Sequence, residues 1–254
     1  MAPPLRALTL DELTIDDERA LRHVELYDRL KRALRADGYR FRAPARGSEL
    51  SWDRALFLNL TFWSAGDQGD VLVSEHVPAD VVVHVAWHHV ARRALGPGAE
   101  TARGLLLGEA IASASDLYLV GRLLGHAPDA EFLATQIPAM AAVAEANGLD
   151  EAAFEALLES VAAEPERAFE ELRALLFDAS TALLACASVT DASAALAKLE
   201  GARFEPLLHH FELSNWVLYA RAYGRKDDDS PVAETDAALR AAPDSLAWLA
   251  ARWL

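Results

Sequence analysis

Two long apolar stretches separated by a Gly-Pro-Gly break constrain this chain more than any other feature. The first, ADVVVHVAWHHVARRAL, spans residues 79–95, and the second, ETARGLLLGEAIASASDLYLVGRLLG, spans residues 100–125. Pro78 suits an early position in a helix, and Gly96-Pro97-Gly98 ends one, so the pattern predicts a helix on each side of the break. The first helix is apolar nearly all round, which predicts that it is buried. In the second, Gly104, Gly108 and Ala112 place a small residue at every fourth position, where a neighbouring helix can approach closely.

The remaining punctuation extends the helical reading. Pro128 opens a further helix, in which Pro138 predicts a kink or a break. Gly148, Pro165, the stretch 188–191 and Gly201 divide the helices that follow, and GRKDDDSP (224–231) reads as a charged linker before two short C-terminal helices. Near the N-terminus, Thr9 and Glu12 have capping-box spacing, with a second possible start at Thr14. Leu21, Val24, Tyr27, Leu30 and Leu34 then follow helical spacing up to Gly38, and RFRAPARGSELS reads as a loop. LFLNLTFW (56–63) and DVLVSEHV (70–77), joined through AGDQGD, predict a β-hairpin; the rival for the first run is a helix capped by Ser51. The expected fold is therefore mainly α, with a short hairpin before the His-bearing helix and a C-terminal helical bundle. Residues 1–127 would carry the first part and 128–254 the second, as two regions or one domain.

Charge and composition restrict function. A net charge of −15 repels nucleic-acid phosphate and anionic lipid. The cluster Arg29, Lys31, Arg32, Arg35, Arg40, Arg42 and Arg46 reads as a solvated helix end whose cations complement the dipole. The single cysteine, Cys186, lies in the apolar run TALLACAS and is expected to be a buried, inert thiol; with no disulfide possible within the chain, a cytoplasmic location is expected. The N-terminal residues lack the apolar core of a secretory signal, and every long apolar stretch carries charged or paired histidine residues, so no membrane partner is expected. There is no Gly-rich phosphate loop and no G-x-S-x-G elbow.

Chemistry concentrates at HVAWHH (84–89) and GEAIASASDLY (108–118). Successive helical residues turn by 100°, so His84 and His88 lie about 40° apart and both imidazoles reach one point. Burial leaves such rings neutral and able to ligate a divalent cation. His89 points about 100° away from His88, so it can act on a ligand but not readily on the ion. Glu109 and Asp116 follow on the next helix. Two carboxylates in an apolar helix need a counter-charge: a cation shared with the histidines, or Arg103 or Arg122. Two histidines and one carboxylate with open positions also describe a non-haem iron site. A second pair, His209 and His210, with Glu205 and Glu212, reads as an ordinary helix surface. Glu164, Glu166, Glu170 and Glu171 fall at a helix start, where acids suit the dipole.

HxxxH on a buried helix, followed by a helix carrying GEAIASASDLYLVG, resembles the core of the gluzincin metalloproteases of the thermolysin kind, over roughly residues 55–120. In that family the two histidines of HExxH, and a glutamate about twenty residues later, hold zinc behind a β-element. The resemblance implies metal ligation by His84, His88 and Glu109, and a supporting role for Asp116. It breaks at the family's general base: the residue after the first histidine is Val85, which cannot accept a proton. Glu75 and His76, just upstream, are the candidate substitutes. The expected protein thus binds Zn or Fe(II) without being an ordinary peptidase, and it performs metal-assisted hydrolysis or iron-dependent oxidation on an unidentified small-molecule or protein partner. The alternative is a catalytically inactive zincin-like scaffold or protein-interaction module whose histidines are hydrogen-bonded core residues.

Overall fold

The computed structural model describes residues 5–44 and 69–254. Contacts group the chain into two units, Met1–Ala86 and Trp87–Leu254. The boundary falls within one helix, whereas residue 127, the division drawn from the sequence, follows the end of the next.

The first unit opens with β1 (Leu5–Thr9), which pairs antiparallel with β3 (Arg40–Pro44) so that Leu8 faces Phe41. Both side chains are buried. The stretch RFRAP is therefore a strand and not a loop. The Thr9–Glu12 capping box does form, since the Thr9 N–H and Oγ1–H both donate to Glu12 Oε2, at 2.7 and 2.8 Å. It caps only a 3-10 turn, Leu10–Glu12, because the chain then extends as β2 (Thr14–Asp16) to pair in parallel with β4 (His76–Pro78). Two helices lie between, α1 (Glu18–Leu21) and α2 (Glu25–Ala36). The predicted apolar positions Leu21, Val24, Tyr27, Leu30 and Leu34 are all buried, and Gly38 ends the run with a left-handed φ of +62°.

The basic cluster is not a merely solvated helix face. Lys31 is buried, and its ammonium meets the Glu18 carboxylate, which also accepts from the Tyr27 hydroxyl at 2.8 Å. Arg35 pairs with Asp11, and Arg42 Nε donates to the Gly69 carbonyl at 2.9 Å. The predicted strand LFLNLTFW lies outside the described residues. DVLVSEHV finds its described partners elsewhere: Val71 bridges to Arg42, and β4 pairs with β2.

Helix α3 (Ala79–Leu95) crosses the boundary between the units. After the break come α4 (Ala102–His126), α5 (Glu131–Ala146), α6 (Glu151–Ala163), α7 (Pro165–Ala185) and α8 (Val189–Leu196). The last three are α9 (Leu213–Tyr223), α10 (Ser230–Ala241) and α11 (Ser245–Trp253). Helix α4 is the core of the second unit and packs on α7, α6 and α9. It is long and apolar enough to cross a membrane, yet its apolar surface is spent on its neighbours. Its small residues permit close packing: a Cβ at Gly121 would stand 2.7 Å from the Val161 carbonyl oxygen on α6. Helix α5 runs through Pro138 without a break. Arg173 on α7 is fully buried and doubly paired, donating to both Glu170 oxygens (2.8 and 2.7 Å) and to Asp236 of α10 (2.8 Å). Cys186 is half-buried, not buried, at the C-terminal end of α7.

Candidate metal centre

The site is built on a helical turn-back. Helix α3 stops at Leu95, where Gly96 adopts φ +55°, and a 3-10 turn, Gly96–Glu100, leads to Thr101. Thr101 caps α4: its Oγ1 accepts from the Gly104 N–H at 3.0 Å and donates to the Gly98 carbonyl at 2.8 Å. The chain returns along itself, so His88, two turns before the break, lies beside Gly108 and Glu109, two turns after it. A Cβ on Gly108 would lie 3.6 Å from His88 Nδ1. The other ring nitrogen, Nε2, faces Glu109 Oε2 at 3.6 Å.

His84, one turn earlier on α3, completes the set. One donor atom each from His84, His88 and Glu109 all lie within 4.8 Å of one another, and this is the one such group of three or more among the described residues. Ligand bonds of about 2.0–2.1 Å at tetrahedral angles put donors about 3.3 Å apart. The His88–Glu109 edge is already close to that value. The remaining edges are at most 4.8 Å and need a contraction within the reach of imidazole and carboxylate torsions. The three residues can therefore hold a metal ion.

Burial departs from expectation in a way that matters for chemistry. Val82, Val83, Val85, Ala86, Trp87 and Val90 are buried, but the histidine face is not: the His88 and Glu109 side chains are 35% and 26% exposed. The ligand face of the helix is thus partly open to solvent.

The other predicted residues are placed as follows. Arg103 pairs with Asp229 and Arg122 with Glu166, so neither arginine takes up Glu109. Glu75 is ion-paired with Arg6, and His76 Nδ1 lies 3.0 Å from Asp16 Oδ1. His89 is half-buried and outside the ligand group. Asp116, also half-buried and outside it, acts electrostatically on His210: burial holds that imidazole below its usual range, while the Asp116 charge pulls it upward. His209 and His210 lie on a 3-10 helix, Glu205–Phe211, and not on an α-helix; His209 is exposed and His210 half-buried. Glu164, Glu166, Glu170 and Glu171 all serve arginines. Sequence reasoning missed the role of the break itself. The signal was available, since His88 and Glu109 stand at equal distances from the two helix ends that flank it.

No protein-family model matches this chain, and no curated protein or solved structure shows a significant similarity to it.

Proposed function

We propose that this chain is a metalloprotein that holds one divalent transition ion, Zn or Fe(II), through His84, His88 and Glu109. One observation carries the reading: three side chains of the right chemical types present donor atoms within 4.8 Å of one another on a solvent-accessible face. The pairing of Arg103 with Asp229 and of Arg122 with Glu166 supports it, because the two arginines of the same helix are then engaged by other acids and not by Glu109. A zincin-like arrangement is supported by the order of a short strand, β4, the HxxxH helix and a glutamate-bearing helix.

The bound ion would supply Lewis acidity, or one-electron chemistry if it is iron, to a small molecule at the open positions. What the chain's own residues contribute is binding and orientation. Hydrolysis of the ordinary peptidase kind needs a carboxylate base, and Val85 is packed in the core while Glu75 is engaged by Arg6. Chemistry that brings its own base or needs none fits the site better. Metal analysis of the purified protein tests the proposal. Stoichiometric Zn or Fe, lost together in a His84→Ala, His88→Ala double variant that keeps its helical circular dichroism, is expected. A metal-free protein that gains no stability from Zn, Fe(II) or Co(II) would leave the scaffold alternative.

A further inference from the structure

Glycine is a poor helix residue, yet α4 begins with one at its third position, Gly104. The reason lies in the turn. A Cβ on Gly104 would stand 2.0 Å from the Gly98 carbonyl oxygen and 2.8 Å from Ala99 Cα. Those are backbone atoms, which have no rotamer through which to yield. The same turn is fixed by Thr101, which bonds Gly98 on one side and the Gly104 N–H on the other. Thr101, Gly98 and Ala99 are buried, so the contact is a packed one. One helical turn further along α4 is Gly108, facing His88 Nδ1, and next to it is Glu109, facing His88 Nε2.

We propose that Gly104 is a positioning residue for the metal centre: by letting the backbone of α4 seat against Gly98 and Ala99, it sets the register at which Glu109 meets His88. The inference rests on the metal reading above. The lever is short. The contact lies at the mouth of the turn and Glu109 only about one and a half helical turns, or about 8 Å, beyond it, so a shift of an ångström at Gly104 is passed to Glu109 by a rigid helix. Gly108 has a different part. A methyl group there would make an ordinary van der Waals contact with His88, at 3.6 Å, so the same added carbon is tolerated nearer the ligands and not farther from them.

Co(II) titration, followed by visible absorption, tests this, because the d–d bands report the number and geometry of ligands and not the stability of the fold. Wild type and Gly108→Ala are expected to bind one Co(II) with the same spectrum and with affinities within about threefold, whereas Gly104→Ala should bind about 10-fold more weakly or worse. The spectrum of Gly104→Ala should converge on that of Glu109→Gln, since the carboxylate is the ligand displaced. If Gly104→Ala does not fold, Thr101→Val serves instead: it removes both side-chain bonds of the turn with little change in side-chain volume, and the same weakening and spectral change are expected. Wild-type protein that takes up no Co(II) would sink the metal reading itself. Wild type that binds, with a folded Gly104→Ala (or Thr101→Val) matching it in affinity and spectrum, would overturn the positioning role alone.

Discussion

Placing a glutamate after the first histidine is the most direct way to ask what kind of site this is, and the structure predicts that Val85→Glu fails. Val85 is 4% exposed, between the buried Val83 and Ala86. Replacing it forfeits the burial of a valine, about 1.5–3 kcal/mol. A carboxylate ionised at that buried position is an uncompensated charge, which costs about 3–5 kcal/mol. Together the loss should be about 4 kcal/mol or more, a large part of the about 5–15 kcal/mol by which folded proteins are stable. For a chain of this size, that lowers the midpoint of thermal unfolding by about 8–16 °C. Urea and thermal unfolding, each followed by circular dichroism, measure the change; a fluorogenic peptide assay with added zinc measures any regained peptidase activity. A variant within about 1 kcal/mol of the parent, below the usual cost of a core change, would refute the reasoning. If it also cleaved peptides, position 85 would face the ion and the chain would be a peptidase that lost its base.

Three further outcomes follow from particular contacts. His88→Ala should abolish the stabilisation conferred by added zinc, about 2.7 kcal/mol at 100 times the dissociation constant, while His89→Ala retains it; differential scanning fluorimetry with and without chelator separates the two. Arg173→Ala takes the buried cation from between Glu170 and Asp236, of which Asp236 keeps Arg240, and should cost about 3–5 kcal/mol in urea unfolding, with much of the loss recovered when Glu170 is changed to its amide. The Glu18 carboxyl is held below its ordinary value of 4.5, chiefly by its hydrogen bond from Lys31. Because that value is depressed by folding, the pair's contribution is present above the ordinary value and is lost as pH falls through the lowered one, so Lys31→Met should flatten the acid limb of the stability–pH profile.

What could be read in the sequence divides along physical lines. Several of the helices from Ala79 onward announce themselves because local punctuation bounds them: Gly96 at a left-handed φ, Gly148 likewise, and Pro165 as the first residue of α7. The strands do not. LRALT has no strong strand composition, and it becomes β1 only because RFRAP, some thirty residues away, supplies a ladder and the Leu8–Phe41 contact buries both side chains. Such pairing is not local, and no window of sequence contains it. The same division holds at the site. His84 and His88 share a face by helical geometry alone, and Glu109 was placed by order in the chain. That the face stays partly open depends on which neighbours leave it uncovered, and helical spacing does not encode that.

The charges on α4 give the metal reading its physical logic. A core helix can carry ionisable groups only if each is matched, and four of those on α4 lie between Arg103 and Arg122 inclusive. Arg103 is matched by Asp229 and Arg122 by Glu166, each an acid from another element. Asp116 lies in the field of His210, whose own burial favours the neutral ring. Glu109 faces His88 at 3.6 Å, a separation longer than a hydrogen bond and close to the edge of a coordination tetrahedron. A divalent cation at the common point of His84, His88 and Glu109 would take both imidazoles as neutral donors and set the carboxylate against a positive charge, so the donor types of this cluster match what such an ion requires.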